Sequence, residues 1–258
     1  MTFLRGVFKI TFFLLSVILF LFLTGMARVL IWSIPARSHF YTAVVAAYCR
    51  FGLWFLNIDL KVINTPAKGK NYLLICNHLG ILDIIIMAAI QPCLFITSVE
   101  MKNTPGLGLL CEMGGCLFVE RRDRSNIHKE IRNIRMALQQ KLNVTLYPEG
   151  TSTNGERVLP FKKSLLTAAA GTGVPILPMV LNYTHVNGEP ISAQNRDQVF
   201  WYGDQAFPPI LWKLLTNRSV RVEAEFFEEI HVTSEEQRRE VAARAQSLIE
   251  SKFRPIPS

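Results

Sequence analysis

The sequence predicts an α/β fold, a mostly parallel sheet covered by helices, together with an N-terminal membrane-anchoring helical segment. From Asp59 onward, short apolar runs alternate with helical patterns, which is typical of the β–α units that build parallel sheets. Before Asp59 the chain is apolar and basic, unlike the rest of the sequence. The 258 residues are enough for one α/β domain and an appendage. We therefore place membrane-anchoring helices at 1–58 and an α/β domain at 59–258.

The N-terminal segment combines a long uncharged run with much of the net charge of +8. No charged residue occurs from Ile10 to Met26, and no acidic residue precedes Asp59. This pattern suits a surface of anionic membrane lipids and predicts no nucleic-acid partner, whose basic footprint would lie on the folded domain. The basic residues of the segment are Arg5, Lys9, Arg28, Arg37 and Arg50.

The uncharged run allows two arrangements in a membrane. Its 17 residues rise about 25 Å as a helix, less than the roughly 30 Å of a bilayer's hydrocarbon core. A single span with Arg5 and Lys9 inside would also place the α/β domain outside the cell. We therefore expect two helices, 5–26 and 28–56, that dip into one leaflet, with a single span as the alternative.

The five cysteines occur without a C-x-x-C pair or a Cys/His cluster that has the spacing of metal ligands. Three of them lie in apolar stretches, so we interpret them as buried free thiols. Free thiols indicate a reducing compartment and hence a domain on the cytoplasmic side. The residues are Cys49, Cys76, Cys93, Cys111 and Cys116.

Periodicity places the elements of the α/β domain. The strongest helical pattern is 125–142, where Ile and Leu recur at three- and four-residue steps, with Ser125 as the expected N-cap. Residues 220–226 alternate as in a half-exposed strand, and 234–237 form a capping box that opens the last helix. The other expected helices are 83–90, 105–113 and 161–172. The other expected strands are Leu60–Ile63, Tyr72–Cys76, Leu94–Val99, Cys116–Val119, Val144–Tyr147 and Ile176–Asn182.

A polar pair, Asn77 and His78, directly follows the apolar run that ends at Cys76. The carboxyl end of a strand is where open α/β sheets place their ligands. Asp83 comes five residues after His78 at the start of a helical pattern, so a turn can bring its carboxylate beneath the imidazole. That contact fixes the tautomer and leaves the other nitrogen free to accept a proton from a hydroxyl. The same spacing also fits a histidine that caps a helix. The pair alone therefore does not distinguish a catalytic histidine from a helix cap.

Three further blocks follow at the ends of other expected strands. They are Gly115-Cys-Leu-Phe118-Val-Glu-Arg121, Tyr147-Pro148-Glu149-Gly150-Thr151-Ser152 and Val174-Pro175-Ile-Leu-Pro178. Together with the His-x4-Asp block and in this order, they resemble the motifs of the 1-acylglycerol-3-phosphate acyltransferases and related glycerolipid acyltransferases. The resemblance covers residues 77–178 and continues to about residue 230. The first and third blocks together are highly specific.

The resemblance implies roles for three residues of these blocks. His78 would be the general base, and Asp83 would orient it. Arg121 would bind the phosphate of the acceptor, a task that suits the forked guanidinium. For Arg122 and Arg124, a solvated charged loop is the simpler interpretation.

The block that begins at Tyr147 is implied to form the acceptor site. Glu149 and Gly150 would shape it, with Glu149 bonded to the bound glycerol or to a basic residue, because a carboxylate repels a phosphate. Pro175 would either shape the acyl pocket or mark the start of a strand. The further candidates for substrate binding are Asn77, Thr151 and Lys102.

Two residues depart from the family's pattern. Tyr147 replaces the usual Phe, and Ser152 stands where many members carry Arg or Lys. The second change removes a phosphate-binding cation, for which Lys102, Lys162 or Lys163 could compensate, the last two at the start of an expected helix. A lyso-aminolipid acceptor, as in the related ornithine-lipid acyltransferases, therefore stays open beside 1-acylglycerol-3-phosphate.

The resemblance implies a membrane-bound O-acyltransferase of phospholipid biosynthesis on the cytoplasmic face of the bacterial inner membrane. It would transfer a fatty acyl chain from acyl-CoA or acyl carrier protein to the hydroxyl of a lysophospholipid. With 1-acylglycerol-3-phosphate as the acceptor, the product would be phosphatidic acid. No metal and no prosthetic group are expected.

Three rival classes find less support. An esterase would need a G-x-S-x-G serine, and nucleotide-dependent chemistry would need a glycine-rich phosphate loop, and the sequence contains neither. A non-catalytic membrane-binding protein would explain residues 1–56. Such a protein has no use for a histidine–aspartate pair and a Glu-Gly loop at successive strand ends.

Overall fold

The short apolar runs form one sheet of eight strands. The computed structural model describes residues 2–120 and 126–257. All the strands expected from the sequence are present with slightly different ends, and β7 is an addition. In chain order the strands are β1 (Ile58–Ile63), β2 (Leu73–Cys76), β3 (Cys93–Ser98), β4 (Leu117–Val119), β5 (Asn143–Leu146), β6 (Ile176–Val186), β7 (Glu189–Pro190) and β8 (Val220–Phe226).

Most pairings in the sheet are parallel. β2 pairs with β5 and β6, β3 pairs with β4 and β5, and β1 pairs with β8, each in parallel. β6 runs antiparallel to β7 and β8. The strand order is β1-β8-β6-β2-β5-β3-β4, so β2 lies in the middle, where all its residues are buried. The largely parallel sheet predicted from the sequence is confirmed, and the carboxyl ends of β2, β5 and β6 share one region of its edge.

Helices cover both faces of the sheet, as in other α/β domains. They are α1 (Thr2–Leu30), α2 (Ile34–Phe55), α3 (Ile81–Ile90), α4 (Val99–Lys102), α5 (Leu107–Met113), α6 (Ile127–Gln139), α7 (Phe207–Thr216) and α8 (Arg238–Lys252). Leu82 of α3 and Leu214 of α7 belong to the core on one face, together with residues of α2. Ile134 of α6 and Ala245 of α8 belong to the core on the other face.

The N-terminal helices differ from their expected bounds. α1 continues through Leu30 and α2 begins at Ile34, so the break falls later than predicted. Ser33 explains the new position, because its Oγ accepts a hydrogen bond from the Ala36 N–H at the start of α2. Pro35 lies in the first turn of that helix, where a missing N–H is tolerated.

The surface of α1 is largely apolar and exposed. Gly6–Leu30 is long and apolar enough to cross a membrane, by length and composition, and is a candidate membrane anchor. Trp32, between the two helices, is 89% exposed, and Trp54 of α2 is exposed as well. Cys49 of α2 instead packs into the core. The domain boundary at residue 58 and the one-leaflet arrangement stay predictions.

The α-helix expected at 161–172 is wrong. The chain has no regular secondary structure at 161–163 and then makes a 3-10 turn at Leu165–Ala169. The Lys162 N–H donates to the Pro148 carbonyl at 2.8 Å, and this bond ties the segment to the residues that follow β5. The local hydrophobic pattern does not reveal a hydrogen bond to an earlier residue of the same connection.

The helix expected at 125–142 is α6, which ends earlier in a Schellman motif. The Leu142 N–H donates to the Ala137 carbonyl at 3.1 Å, and Lys141 has a left-handed φ of 60°. This geometry turns the chain sharply into β5. Ser125, the expected N-cap, lies outside the described residues.

Two elements near the C-terminus differ in how well the sequence predicts them. The capping box is confirmed, because Gln237 Oε1 accepts from the Ser234 N–H and a 3-10 turn leads into α8. The sequence pattern does not predict α7, whose Pro208 and Pro209 obscure the helical period. Both prolines lie in its first turn, where no intrahelical N–H is needed.

We expect Ile134→Ala to lower the free energy of unfolding by about 2–5 kcal/mol, because it opens a cavity beneath α6. Ile134 is fully buried, whereas Met136 on the same helix is 51% exposed. Met136→Ala is therefore the control and should change stability by less than about 0.5 kcal/mol. Urea unfolding of the detergent-solubilised protein, followed by circular dichroism, measures both. Equal destabilisation by the two substitutions would contradict the packing.

Candidate active site

Asn77 and His78 follow the carboxyl end of β2 and precede α3. The Asn77 amide bonds the backbone of β6: its Nδ2 donates to the Leu181 carbonyl at 3.1 Å, and its Oδ1 accepts from the Leu181 N–H at 2.8 Å. This contact joins β2 to β6 one residue before His78. Asn77 is buried and is not among the described residues that line the neighbouring cavity, so its part in substrate binding stays a prediction.

Asp83 receives hydrogen bonds on both of its oxygens. Its Oδ2 bonds to His78 Nδ1 at 2.8 Å and accepts from the N–H groups of Leu79 and Gly80. Its Oδ1 accepts from the Tyr183 hydroxyl at 2.7 Å. The side chain of Asp83 is 0% exposed. Because an ionised carboxylate is a pure acceptor, the proton in its bond to the imidazole belongs to Nδ1.

The alternative interpretation of the His-x4-Asp spacing, a histidine that caps the helix, is wrong, because Gly80 is the N-cap of α3 and the capping side chain is Asp83. Asp83 lies in the first turn of α3 and accepts from the N–H groups of Leu79 and Gly80, as a helix cap does. The same oxygen holds the His78 ring. One carboxylate therefore caps the helix and orients the histidine.

The imidazole of His78 is held on its edge and on its face. Asp83 holds Nδ1, and the ring of Tyr147 stacks on the imidazole with centroids 4.1 Å apart and planes 16° apart. His78 remains 19% exposed and lines a cavity. With the proton on Nδ1, Nε2 carries a free lone pair that can accept a proton from a substrate.

Tyr147 replaces the phenylalanine that the family motif leads us to expect. Its hydroxyl is buried without a hydrogen-bond partner among the described residues. Burial, reinforced by the charge of Asp83, raises the pKa of Tyr147 well above its usual range, so the hydroxyl stays protonated. The contact with His78 is made by the ring, which phenylalanine would supply equally.

Glu149 connects the loop after β5 to the backbone of His78. Its Oε1 accepts from the His78 N–H at 2.8 Å, and its Oε2 accepts from the Leu159 N–H at 2.7 Å. Burial raises the pKa of Glu149 to about 7, against the opposing effect of these two hydrogen bonds and with a further upward contribution from Asp83. Glu149 thus bonds to backbone groups, rather than to the basic residue that the sequence suggested.

The residues after Glu149 reach the cavity wall. Gly150 has a left-handed φ of 74°, and a Cβ at this position would collide with the Lys162 ammonium, so glycine suits the position on both counts. Gly150 and Thr151 both line the cavity. The Ser152 hydroxyl donates to the Trp201 carbonyl at 2.5 Å. Ser152 therefore holds a neighbouring loop instead of acting as a free hydroxyl.

A cavity of about 860 Å³ opens beside His78. Its wall contains both apolar and charged or polar residues, so it is suited to a hydrocarbon chain and to a polar headgroup. Apolar lining residues include Ile81, Ile84, Phe95, Met101, Leu107 and Phe161. Charged and polar lining residues include Glu120, Glu130, Thr151, Lys162, Lys163 and Asp204.

The cations predicted to bind phosphate fall in different places. Lys102 ends α4 with its ammonium 5.3 Å from the centre of the Phe118 ring, and it is not among the described lining residues. Arg121, with the charged residues that follow it, lies outside the described residues. Lys162 and Lys163 line the cavity. The prediction that they open a helix is wrong, since their segment has no regular secondary structure.

Two contributors to the site escape a local sequence pattern. Tyr183 lies one residue beyond the expected end of β6, and its hydroxyl reaches Asp83. The backbone N–H of Trp201 donates to the Leu79 carbonyl at 3.0 Å. The same nitrogen would lie only 2.7 Å from a Cβ added to Gly80, so a side chain at that position would collide with it. The polar position near the carboxyl end of β6 is the one signal that could have indicated Tyr183. Trp201 carries no such signal.

Comparison with known proteins agrees with this fold and with the family that the motifs resemble. The acyltransferase family matches residues 58–182. The lyso-ornithine lipid O-acyltransferase of Brucella abortus is 31% identical over 211 residues, which cover 77% of this chain and 79% of the relative. The 1-acyl-sn-glycerol-3-phosphate acyltransferase of Neisseria gonorrhoeae is 30% identical over 183 residues, which cover 70% and 69%. The crystal structure of the 1-acyl-sn-glycerophosphate acyltransferase of Thermotoga maritima aligns with a TM-score of 0.62 at 18% identity, covering 98% of this chain and 100% of that one.

The family match and these relatives define the class of protein, an O-acyltransferase, and the α/β fold agrees with it. Two relatives are at least 30% identical over more than two thirds of their own length. The chain belongs to the acyltransferase family that contains the 1-acyl-sn-glycerol-3-phosphate and lyso-ornithine lipid acyltransferases. The catalytic and binding roles of individual residues stay predictions.

Glu149 should make the stability of the fold depend on pH. Its pKa rises from an ordinary 4.5 to about 7, so the folded protein keeps a proton that the unfolded chain releases. Stability therefore falls as the pH rises between these two values, by about 3 kcal/mol if each pKa unit is worth ~1.4 kcal/mol. Glu149→Gln does not titrate, so its stability relative to wild type should rise over the same range. Urea unfolding at pH 5 and pH 8 measures the free energy of unfolding of both proteins. If the difference between the two proteins were the same at both pH values, the raised pKa of Glu149 would be contradicted.

Proposed function

We propose that this acyltransferase esterifies the free hydroxyl of a lysophospholipid with a fatty acyl chain taken from an acyl thioester. The acceptor is 1-acylglycerol-3-phosphate, the product is phosphatidic acid, and the donor is acyl-CoA or acyl carrier protein. The observation that carries the proposal is the His78 imidazole, held by Asp83 at one nitrogen and lining a cavity with apolar and charged parts. The relatives' names point to the same class of reaction.

In direct transfer, His78 first accepts a proton and later donates it. Nε2 takes the proton of the acceptor hydroxyl while the hydroxyl oxygen attacks the carbonyl carbon of the thioester. Hydrogen-bond donors around the cavity stabilise the negative charge that forms on the carbonyl oxygen. The C–S bond then breaks, and the imidazolium returns the proton to the leaving thiolate. Asp83 stabilises the imidazolium between the two steps, and no covalent acyl-enzyme forms.

The charged part of the cavity wall suits a phosphorylated acceptor. Lys162 and Lys163 place two cations on the wall. They can replace the Arg or Lys that many members of the family carry at the position of Ser152. The apolar part of the wall, near Ile81 and Phe95, suits an acyl chain. The headgroup and the chain would then meet at His78.

A lyso-ornithine lipid is the second candidate acceptor. The cavity wall also carries the carboxylates of Glu120, Glu130 and Asp204, which favour an ammonium group over a phosphate. Lys162 could then pair with the carboxylate of the ornithine. One of the relatives most similar in sequence bears the name of this activity.

We infer that the enzyme works on the cytoplasmic face of the bacterial inner membrane, in contact with its lipids. Acyl-CoA and acyl carrier protein are cytoplasmic donors, and α1 supplies an apolar surface for the membrane. The cysteines are free thiols, as a reducing compartment requires. Cys49, Cys76 and Cys93 are buried, while Cys111 and Cys116 are partly exposed and line the cavity.

His78→Ala and Asp83→Ala should each lower kcat by at least about 100-fold, because they remove the base and the group that orients it. His231→Ala is the matched control, since His231 is exposed and lies 3.5 Å from Glu229, away from the cavity. The assay is thiol release from a long-chain acyl-CoA by purified, detergent-solubilised protein, with and without lysophosphatidic acid.

Release that requires the acceptor and disappears in both variants would support the reaction and its catalytic pair. Release without any acceptor would indicate a thioesterase instead. The same assay is then run with acyl carrier protein as the donor and lyso-ornithine lipid as the acceptor. No transfer in any combination by folded, membrane-bound protein would contradict the proposed function.

Lys162→Met should show whether Lys162 binds the phosphate of the acceptor. We expect it to raise the KM for 1-acylglycerol-3-phosphate about tenfold, because a charge-assisted hydrogen bond to phosphate is worth roughly 1.5–3 kcal/mol. Lys68→Met, in the exposed loop before β2, is the control. Steady-state kinetics with both lysolipids measure the change. A larger kcat/KM for lyso-ornithine lipid, with no effect of Lys162→Met on the phosphate acceptor, would favour the second candidate.

A further inference from the structure

Tyr183 occupies a fixed position on β6 opposite Asp83. It is fully buried, and its ring packs edge-on against Phe200 with centroids 5.1 Å apart. β6 pairs with β8 at this point, and the register shifts directly after it, between Tyr183 and His185. The hydroxyl therefore reaches Asp83 Oδ1 from a rigid strand, at 2.7 Å.

The direction of this hydrogen bond is defined by the two groups that make it. Burial and the charge of Asp83 raise the pKa of Tyr183 well above its usual range, so the phenol keeps its proton. A protonated hydroxyl beside an ionised carboxylate acts as the donor. Tyr183 thus stabilises the charged form of Asp83.

The donors to Asp83 divide between its two oxygens. Oδ2 receives the imidazole of His78 and the N–H groups of Leu79 and Gly80. Oδ1 receives Tyr183, the one donor to this oxygen among the described residues. Loss of that hydroxyl would leave Oδ1 buried without a partner.

We propose that Tyr183 is a positioning residue of the acyl transfer, whose hydroxyl holds the Asp83 carboxylate so that Oδ2 stays on His78 Nδ1. The inference rests on the proposed roles of His78 and Asp83. Tyr183 does not line the cavity and acts through Asp83 alone.

Removal of the hydroxyl should change the pH dependence of the reaction. Asp83 loses a donor to its charged form, so the His78–Asp83 pair binds a proton more tightly. A higher pH is then needed to free Nε2, and the acid limb of the kcat profile moves to higher pH. The other titratable groups around Asp83 stay in place in Tyr183→Phe, and they are Cys76, His78, Tyr147 and Glu149.

Tyr183→Phe should lower kcat about 10- to 100-fold, because it deletes a hydrogen bond to a buried charge. KM for both substrates should stay within about twofold, and the acid limb should move up by about half to one pH unit. Tyr72→Phe is the control, since Tyr72 is buried in the same core but lies at the amino end of β2, away from the site. It should keep the wild-type kcat and pH profile.

A double-mutant cycle separates an effect through Asp83 from a general loss of packing. In an Asp83→Asn background, Tyr183→Phe should change the residual kcat by less than about twofold. Additive effects, or a lower kcat with an unmoved acid limb, would show a merely structural role and overturn the inference. If the wild-type protein catalysed no acyl transfer, the proposed function itself would be contradicted. Failure of the proposed function can therefore be told apart from failure of the role proposed for Tyr183.

A second variant covers the case in which Tyr183→Phe does not fold. Genetically encoded 3-fluorotyrosine at position 183 keeps the shape of the ring and makes the hydroxyl a stronger donor. It should move the acid limb in the opposite direction, to lower pH. An acid limb at the wild-type position in this folded variant would overturn the inference.

Discussion

A carboxylate removed entirely from water is the constraint on which the site depends. Burial of such a charge is costly unless its lone pairs meet donors. Asp83 meets the His78 imidazole and two N–H groups of the turn into α3 on one oxygen, and the Tyr183 hydroxyl on the other. These donors come from the β2–α3 loop and from β6, so both must be folded before the charge can be buried. The same charge sets the tautomer of His78, which links the stability of the fold to its chemistry.

The parallel arrangement of β2, β5 and β6 brings these groups together. On one side of β2, Asn77 bonds to Leu181 of β6 and joins the two strands just before His78. On the other side, the residues after β5 hold His78 twice: Tyr147 stacks on its ring, and Glu149 accepts its backbone N–H. The histidine is therefore held by its backbone, its ring face and one ring nitrogen before any substrate binds, which is the preorganisation that a general base requires.

Local patterns were sufficient for the strands and for the contact between His78 and Asp83, because an apolar run and the polar residues at its end involve only neighbours in sequence. The proposed catalytic roles of the two residues rest on the resemblance to the acyltransferases. For Tyr183, local patterns offered one signal, a polar position near the end of β6, but not its partner on a different element. They gave no signal for the contact of Trp201 with the β2–α3 turn. The wrong helix at 161–172 has a similar origin, since the Lys162 N–H bonds to Pro148, a residue beyond the reach of a helical pattern. Glu149 was recognised as a site residue, but its backbone partners follow from the folded geometry alone.

The protonation of the two imidazole nitrogens of His78 tests the role of Asp83 most directly. Protein labelled with ¹⁵N in its histidines, kept in detergent at pH 8, distinguishes them by NMR, because protonated and bare nitrogens resonate far apart. His78→Gln identifies the signals of this residue. We predict a proton on Nδ1, donated to Asp83, and a bare Nε2. A proton on Nε2 with a bare Nδ1 would contradict the arrangement, because no base would then remain for the hydroxyl of the acceptor.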